Sequence, residues 1–193
     1  RIGQTFVGQG RLEEAVPLLD GAIASARRVG APVALKIALS LRGLVHYWQT
    51  EYQATETASV EALSLTPQLG AGFYALGARM FLGLARTNLG RVSEALDDFA
   101  DAISLARRND DRYWLPRLTS HLGWVHRELG ALDRAREYDT EAVRLARERP
   151  TWGPESEVLV NLCVDNLREG QAERASALLA ELQARAAGSS WMR

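Results

Sequence analysis

The sequence predicts an all-α solenoid, a run of stacked antiparallel helix pairs, and three observations predict it. Small residues recur every 40 positions as Gly3, Gly43, Gly83 and Gly123, with Cys163 next in the column. A second column, seven residues later, reads Gly10, Thr50, Gly90, Gly130 and Gly170, and falls where one amphipathic run ends and the next begins. Two more columns keep the same register: Ala15, Thr55, Ala95, Ala135, Ala175, and then Ala22, Ala62, Ala102, Ala142, Leu182. A period of this length is the signature of supersecondary units that bury their apolar faces only by stacking.

Each column has a physical role. Small residues inside a helix let a neighbouring helix approach closely. Glycine just past a helix end takes the left-handed conformation without a Cβ clash, as expected at Gly90 and Gly130. Thr50 fills that column once, so the second turn is predicted to have a different backbone geometry. Between the small columns, large apolar residues follow helical steps of three and four, as in Val92, Leu96, Phe99 and Ile103.

Taken in order, helices are predicted near 11–28, 32–49, 51–66, 71–89, 91–108, 112–129, 131–148, 154–169 and 171–187. The first contains Pro17, which should remove one backbone hydrogen bond and bend it. Pro32, Pro67, Pro116, Pro150 and Pro154 sit near junctions. Phe73, Tyr74, Tyr113, Trp114 and Trp152 open their helices. Second helices end in arginine (Arg27, Arg28; Arg107, Arg108; Arg144, Arg147), where a cation complements the helix dipole. The units are therefore 1–30 (partial), 31–70, 71–110, 111–150 and 151–190, one array, with Trp191-Met192-Arg193 opening a sixth. Both ends are expected to be cut from a longer array, leaving apolar surface that favours end-to-end self-association.

Composition excludes several classes. The 193 residues are 47% hydrophobic and 24% charged, with a net charge of −1, as in ordinary globular proteins. A neutral chain is not built to neutralise phosphates, so direct nucleic-acid binding is not expected. No apolar run reaches the ~18 residues of a membrane span. The single cysteine cannot form an internal disulfide, which fits a cytoplasmic setting. The chain starts at Arg1 without a methionine, so an upstream segment is expected to have been cut off.

The columns resemble the tetratricopeptide repeat (TPR), whose pattern places a small residue in the first helix, glycine at the turn, then alanine, an aromatic or leucine, and alanine in the second helix. Residues Leu82-Gly83, Gly90, Ala95, Phe99 and Ala102 match best. The second unit departs at Thr50, Thr55 and Ser59, and the fifth at Cys163 and Leu182. A 40-residue period also suits HEAT and armadillo repeats, but the turn glycines and alanine columns favour TPR. The longer unit is similar to arrays in large bacterial signalling ATPases: maltose-regulator-like transcription activators and ATPase–nucleotide cyclase fusions. The stretch from Tyr113-Trp114-Leu115-Pro116-Arg117 to Gly130 carries that likeness. It implies a right-handed TPR-like superhelix acting as a sensor or docking surface. No Gly-rich Lys-Ser/Thr phosphate loop is present.

Candidate chemistry is sparse. His46 and His126 lie two repeats apart, and His121 and His126 are five residues apart, on different helix faces; neither pair has metal-ligand spacing. Cys163 replaces a packing glycine and is expected to be a buried small residue. Asp97, Asp98 and Asp101 are expected on a solvated face. No metal, cofactor or catalysis is expected. The best candidate surface is the groove lined by first helices: Leu44, Tyr47, Met80, Leu84, Thr87, Ser120, Trp124, Arg127, Val160 and Val164; the alternative is that some of these residues simply pack on neighbouring helices. The groove would hold a protein or peptide segment, or neighbouring domains of the parent chain. A small-molecule effector is the alternative occupant, and an enzyme the third reading.

Overall fold

The computed structural model describes residues 2–70, 72–148 and 152–188. Every element among them is a helix: α1 (Ile2–Gly8), α2 (Leu12–Val29), α3 (Pro32–Trp48), α4 (Tyr52–Ser64), α5 (Thr66–Leu69), α6 (Phe73–Asn88), α7 (Val92–Arg108), α8 (Trp114–Glu128), α9 (Leu132–Glu148), α10 (Trp152–Arg168) and α11 (Ala172–Gly188). Pro150 and the expected start of a sixth unit at Trp191-Met192 lie outside the described residues.

Two elements differ from the sequence expectation. The helix expected over 51–66 ends at Ser64, and the single turn of α5 follows. Pro67 has no N–H to give to the Leu63 carbonyl, so α4 cannot continue through it. Pro17, by contrast, does not break α2. The bond it forfeits is to the carbonyl of Glu13, and both residues are exposed, so water can take the partner's place.

The turns are the most regular feature. Gly10, Gly90, Gly130 and Gly170 have φ of 72°, 77°, 74° and 74°. After Gly90 the N–H of Arg91 returns to the Arg86 carbonyl at 2.8 Å, while Gly90 N–H reaches Thr87 at 3.0 Å. This paired pattern satisfies two carbonyls that a helix end otherwise leaves open. Thr50 corrects the expectation of a different geometry. Its φ is 61°, and Glu51 N–H bonds the His46 carbonyl at 2.9 Å, so the turn is the same and threonine bears the strain. The 30–70–110 column that the sequence reading missed also takes positive φ: Gly30 at 65° in the left-handed turn that ends α2, Gly70 at 75° after α5 with an extended ψ of 157°, and Asp110 at 48° after α7.

The chain divides into two compact units, residues 1–102 and 103–193. In unit 1, Ala15, Leu19 and Val45 form one core cluster and Ile23, Ala38, Leu39, Ala62 and Ala78 another. In unit 2, Ala142, Ala146 and Val158 join α9 to α10. The small column works as close-approach geometry requires. A Cβ on Gly43 would lie 2.9 Å from Ser59 Oγ, on Gly83 2.7 Å from the Phe99 ring, and on Gly123 2.7 Å from Asp139 Oδ1. Three glycines of one column thus meet three residues of one facing column, 59, 99 and 139.

Candidate functional site

The ten groove residues separate on burial and on what they touch. In unit 1, Met80 and Leu84 are 1% and 2% exposed; they are core, not groove. Tyr47 turns onto α6, its ring 5.6 Å from Phe81. Leu44 packs against the Ala15–Leu19–Val45 cluster, and Thr87 donates to the Gly83 carbonyl of its own helix. In unit 2, Ser120 is buried and accepts from Asn161 of α10 at 3.2 Å. Trp124 is partly buried, whereas Val160 and Val164 are open. Residues assigned to a groove are therefore largely spent on packing one first helix against the next. Helical spacing identifies a face but not what covers it.

Arg127 illustrates this. Its guanidinium bonds Asp139 at 2.6 Å, Asp165 at 2.7 Å and Glu169 at 3.1 Å. It is 7% exposed, with Asp139 and Asp165 equally enclosed. Arg136 reaches Glu169 from the rim at 3.1 Å. One enclosed cation thus serves three carboxylates. Burial, assisted by the negative charges of Asp139 and Glu169, pushes the Asp165 carboxyl up to about 6 against the pull of Arg127. Burial also raises Asp139, again against Arg127. Burial opposes ionisation of Glu169 too, but bonds from Arg127 and Arg136 hold it below its ordinary value.

Unit 1 holds a counterpart. Arg86 bonds Asp98 at 2.8 Å and Glu56 at 3.1 Å, and Arg91 bonds the other oxygen of Glu56 at 2.6 Å. Asp98, expected on a solvated face, is 7% exposed, and burial raises its pKa despite Arg86. Asp97 and Asp101 are exposed as expected.

A third cluster joins α8 to α10. Arg117 lies 2.5 Å from Glu157, and His121 Nε2 lies 3.1 Å from the other carboxylate oxygen. The Arg117 guanidinium also sits over the Trp114 ring at 4.6 Å. Burial works to raise Glu157, but His121 and Arg117 outweigh it and hold it at about 2. His46 contacts Glu51 and Arg42, and His126 stacks on Tyr138 at 5.2 Å. Cys163 is partly rather than fully buried, and its thiol donates to the Ala175 carbonyl at 3.4 Å. Among the described residues, no three His, Cys, Asp or Glu side chains converge to hold a metal ion.

The open space lies on the side of the second helices. In unit 2 a cleft of about 540 Å³ runs between α9 and α11 over α10. Val143, Leu162, Ala177 and Leu178 give it apolar walls; Arg136, Glu169 and Arg174 give it a charged rim, with Arg127 and Asp139 beneath. Unit 1 has a cleft of about 470 Å³ between α2 and α4 over α3. The two are equivalent: Asp20, Ile23, Arg42, His46, Thr57 and Ala58 stand 120 residues before Thr140, Val143, Leu162, Asn166, Ala177 and Leu178. Three repeats apart, the same site has exchanged Arg42 for leucine and Ala58 for leucine. The unit 1 version is lined by ion pairs, Arg42–Asp20 at 2.8 Å and Arg27–Glu61 at 2.5 Å. The unit 2 version is apolar inside. The 40-residue columns carried this signal, but only a comparison of these cleft positions three repeats apart would have found it. Of the ten expected residues, Arg127 alone lines the cleft.

Comparison with known proteins agrees with this architecture. The Tetratricopeptide repeat family profile matches residues 74–148. No curated protein sequence matches the chain. A Rap protein in complex with Competence and Sporulation Factor superposes with a TM-score of 0.85 at 17% identity, over 96% of this chain and 52% of that one. BtubC from P. vanneervenii gives a TM-score of 0.70 at 16% identity, over 98% and 79% of the two chains. A Podosopora anserina putative kinesin light chain with nearly identical TPR-like repeats gives 0.64 at 15% identity, over 98% and 94%. The chain thus spans about half the length of the Rap structure. At these identities the likeness is one of fold. Among the described residues no helix is long and apolar enough to cross a membrane. With its turn glycines, its close-packed small column and a tetratricopeptide-repeat family match over residues 74–148, the chain has the fold of a tetratricopeptide-like helical array.

Proposed function

We propose that the array is a non-catalytic, regulatory interaction module of a larger bacterial signalling protein of the cytoplasm, and that it holds a segment of a partner protein in the cleft between α9, α10 and α11. The observation that carries this reading is the contrast between the two equivalent clefts. The unit 2 cleft has apolar walls and a rim of both charges, the make-up of a site that takes apolar side chains and orients them with a few polar contacts. The likeness to Rap supports it, since that protein is crystallised with Competence and Sporulation Factor. Partners reach such a site as extended or helical segments, anchored by a few buried side chains.

The test is a displayed peptide library selected against the intact chain. Leu178→Asp and Arg174→Glu should each weaken a selected peptide by at least ~10-fold, about 1.4 kcal/mol, without lowering the melting temperature by more than a few degrees. Selected peptides that bind both variants as they bind the parent would place the site elsewhere.

A second reading is a small-molecule effector site of a transcription regulator or cyclase. The volume of about 540 Å³ favours it, lying within the range of small-ligand pockets. Thermal shifts from a metabolite library, abolished by Leu178→Asp, would favour the effector over the peptide.

A further inference from the structure

The charges lining the cleft between α9, α10 and α11 are Arg127, Arg136, Asp139, Glu169 and Arg174. All but one are answered by an opposite charge of the fold. Arg127 bonds Asp139 and Glu169, and Arg136 bonds Glu169 and Asp133. The two carboxylates are enclosed, their side chains 7% and 13% exposed. Arg174 is the exception. Among the described residues it meets no carboxylate; its guanidinium donates to the neutral Gln171 Oε1 at 2.6 Å. The Gln171 amide nitrogen in turn donates to Glu169 at 3.2 Å. The cation is thus held at the rim by a group that leaves its charge uncompensated.

The equivalent cleft of unit 1 has the opposite polarity. There Ala54 stands in place of Arg174, and the cation is on the floor as Arg42, paired with Asp20. In unit 2 the floor is Leu162 and the cation stands on the rim. Arg174 is also the third residue of α11, where the helix dipole adds to the attraction for an anion. Ala177 and Leu178 follow it at three and four residues, on the same helix face, so the rim charge and the apolar wall are presented together. Forty residues earlier, the positions of Leu178 and Asn166 hold Tyr138 and His126, whose rings stack on each other at 5.2 Å.

We propose that the partner segment held in this cleft is acidic as well as apolar: a large aliphatic or aromatic side chain seats against Val143, Leu162 and Leu178, and an Asp or Glu side chain of the same segment pairs with Arg174. This rests on the reading of the cleft as a partner site and specifies the partner's chemistry. A cationic segment finds no open acceptor there, because Glu169 already receives Arg127, Arg136 and Gln171. Net charge does not oppose an acidic one, because the three arginines of the lining balance Asp139, Glu169 and the underlying Asp165.

The test uses peptides from a displayed library selected against the intact chain, with affinities read by fluorescence anisotropy. Selected sequences should carry Asp or Glu within about four residues of the large apolar anchor, matching the spacing of Arg174 and Leu178. Changing that carboxylate to its amide should weaken binding to the parent about fivefold, the upper range for a rim ion pair, and binding to Arg174→Gln by less than about twofold. A lysine in its place should bind Arg174→Glu better than the acidic original does, a reversal that a misfolded variant cannot produce. Amidation of the peptide's C-terminus should change nothing. Loss of binding on that amidation, or an equal effect of the carboxylate-to-amide change on parent and Arg174→Gln, would overturn the proposal. Leu178→Asp separates the two levels of the account. Peptides that need Leu178 but not Arg174 leave the cleft a binding site and refute its acidic preference. Peptides indifferent to both refute the cleft reading and this proposal with it.

Discussion

Replacing the three close-packed glycines of the first helices by alanine should produce three different outcomes, set by what each new methyl meets. All three sites are helical, so alanine brings about 1 kcal/mol of helix propensity. At Gly83 the methyl would lie 2.7, 3.0 and 3.2 Å from three atoms of the Phe99 ring, itself 0% exposed. Overpacking of a filled core costs ~1–3 kcal/mol, so Gly83→Ala should destabilise by roughly 1–2 kcal/mol after the propensity gain. At Gly123 the contacts are Asp139 Oδ1 at 2.7 Å and, less yielding, the Ala135 carbonyl and Tyr138 Cβ, both at 3.2 Å. Asp139 is held by Arg127 and cannot turn away freely, so Gly123→Ala should cost the most. At Gly43 the only close atom is Ser59 Oγ at 2.9 Å, which makes no hydrogen bond and can rotate; the next contacts, at 3.6 and 3.7 Å, are ordinary. Gly43→Ala should be neutral or stabilising. Urea denaturation followed by circular dichroism ranks the three by midpoint. Phe99→Leu should rescue part of the Gly83→Ala loss, a coupling that a double-mutant cycle reads directly. Three variants within ~0.5 kcal/mol of one another, the usual scatter of uncoupled changes, would mean that this column does not set helix approach.

Thr50→Gly should raise stability by about 1 kcal/mol, because it relieves a β-branched residue held at φ 61°, and Gly130→Val should lower it by more than ~1 kcal/mol for the converse reason; equal midpoints would remove the turn geometry from the explanation. The Asp165 carboxyl is raised to about 6 from 3.8 in the fold, so its ionisation works against folding, and stability from this group rises as pH falls from 7 toward 4. Asp165→Asn should therefore stabilise at pH 7 and lose that advantage near pH 4, as thermal melts across pH would reveal. Glu157 is the opposite case: held at about 2 rather than 4.5, it stabilises above pH 4.5 and the contribution fades between 4.5 and 2. Glu157→Gln should melt below the parent at pH 7 and converge with it near pH 2; a constant gap would assign its effect to packing instead of charge.

The features legible in the sequence were those that a single residue type enforces locally. Turn glycines are legible because left-handed φ selects them, and the 43–83–123 column because close helix approach excludes a side chain. Thr50 shows the limit: the chain keeps the turn and tolerates the strain. The ion clusters were not legible, because their members are far apart in sequence. Arg86 meets Glu56 30 residues away and Arg127 meets Asp165 38 away, while the two arginines occupy adjacent columns, not the same one. Which groove residues are spent on packing was hidden for a related reason. Periodicity gave the face of each first helix correctly as a face, but burial of Met80 and Leu84 depends on the neighbouring helix. At Val160 and Val164 the same columns are open. The cleft between second helices was hidden because its apolar character arises from exchanges such as Arg42 to Leu162 across three repeats.

Amide chemical shifts of the intact chain, titrated with a library-selected peptide, test most directly whether partners enter between the second helices. Shifts should cluster on α9, α10 and α11 around Val143, Leu162, Asn166 and Leu178, with little change at Leu44, Tyr47 or Thr87. Shifts concentrated on Leu44, Tyr47 and Trp124, with α11 silent, would return the binding surface to the first helices and contradict the cleft assignment.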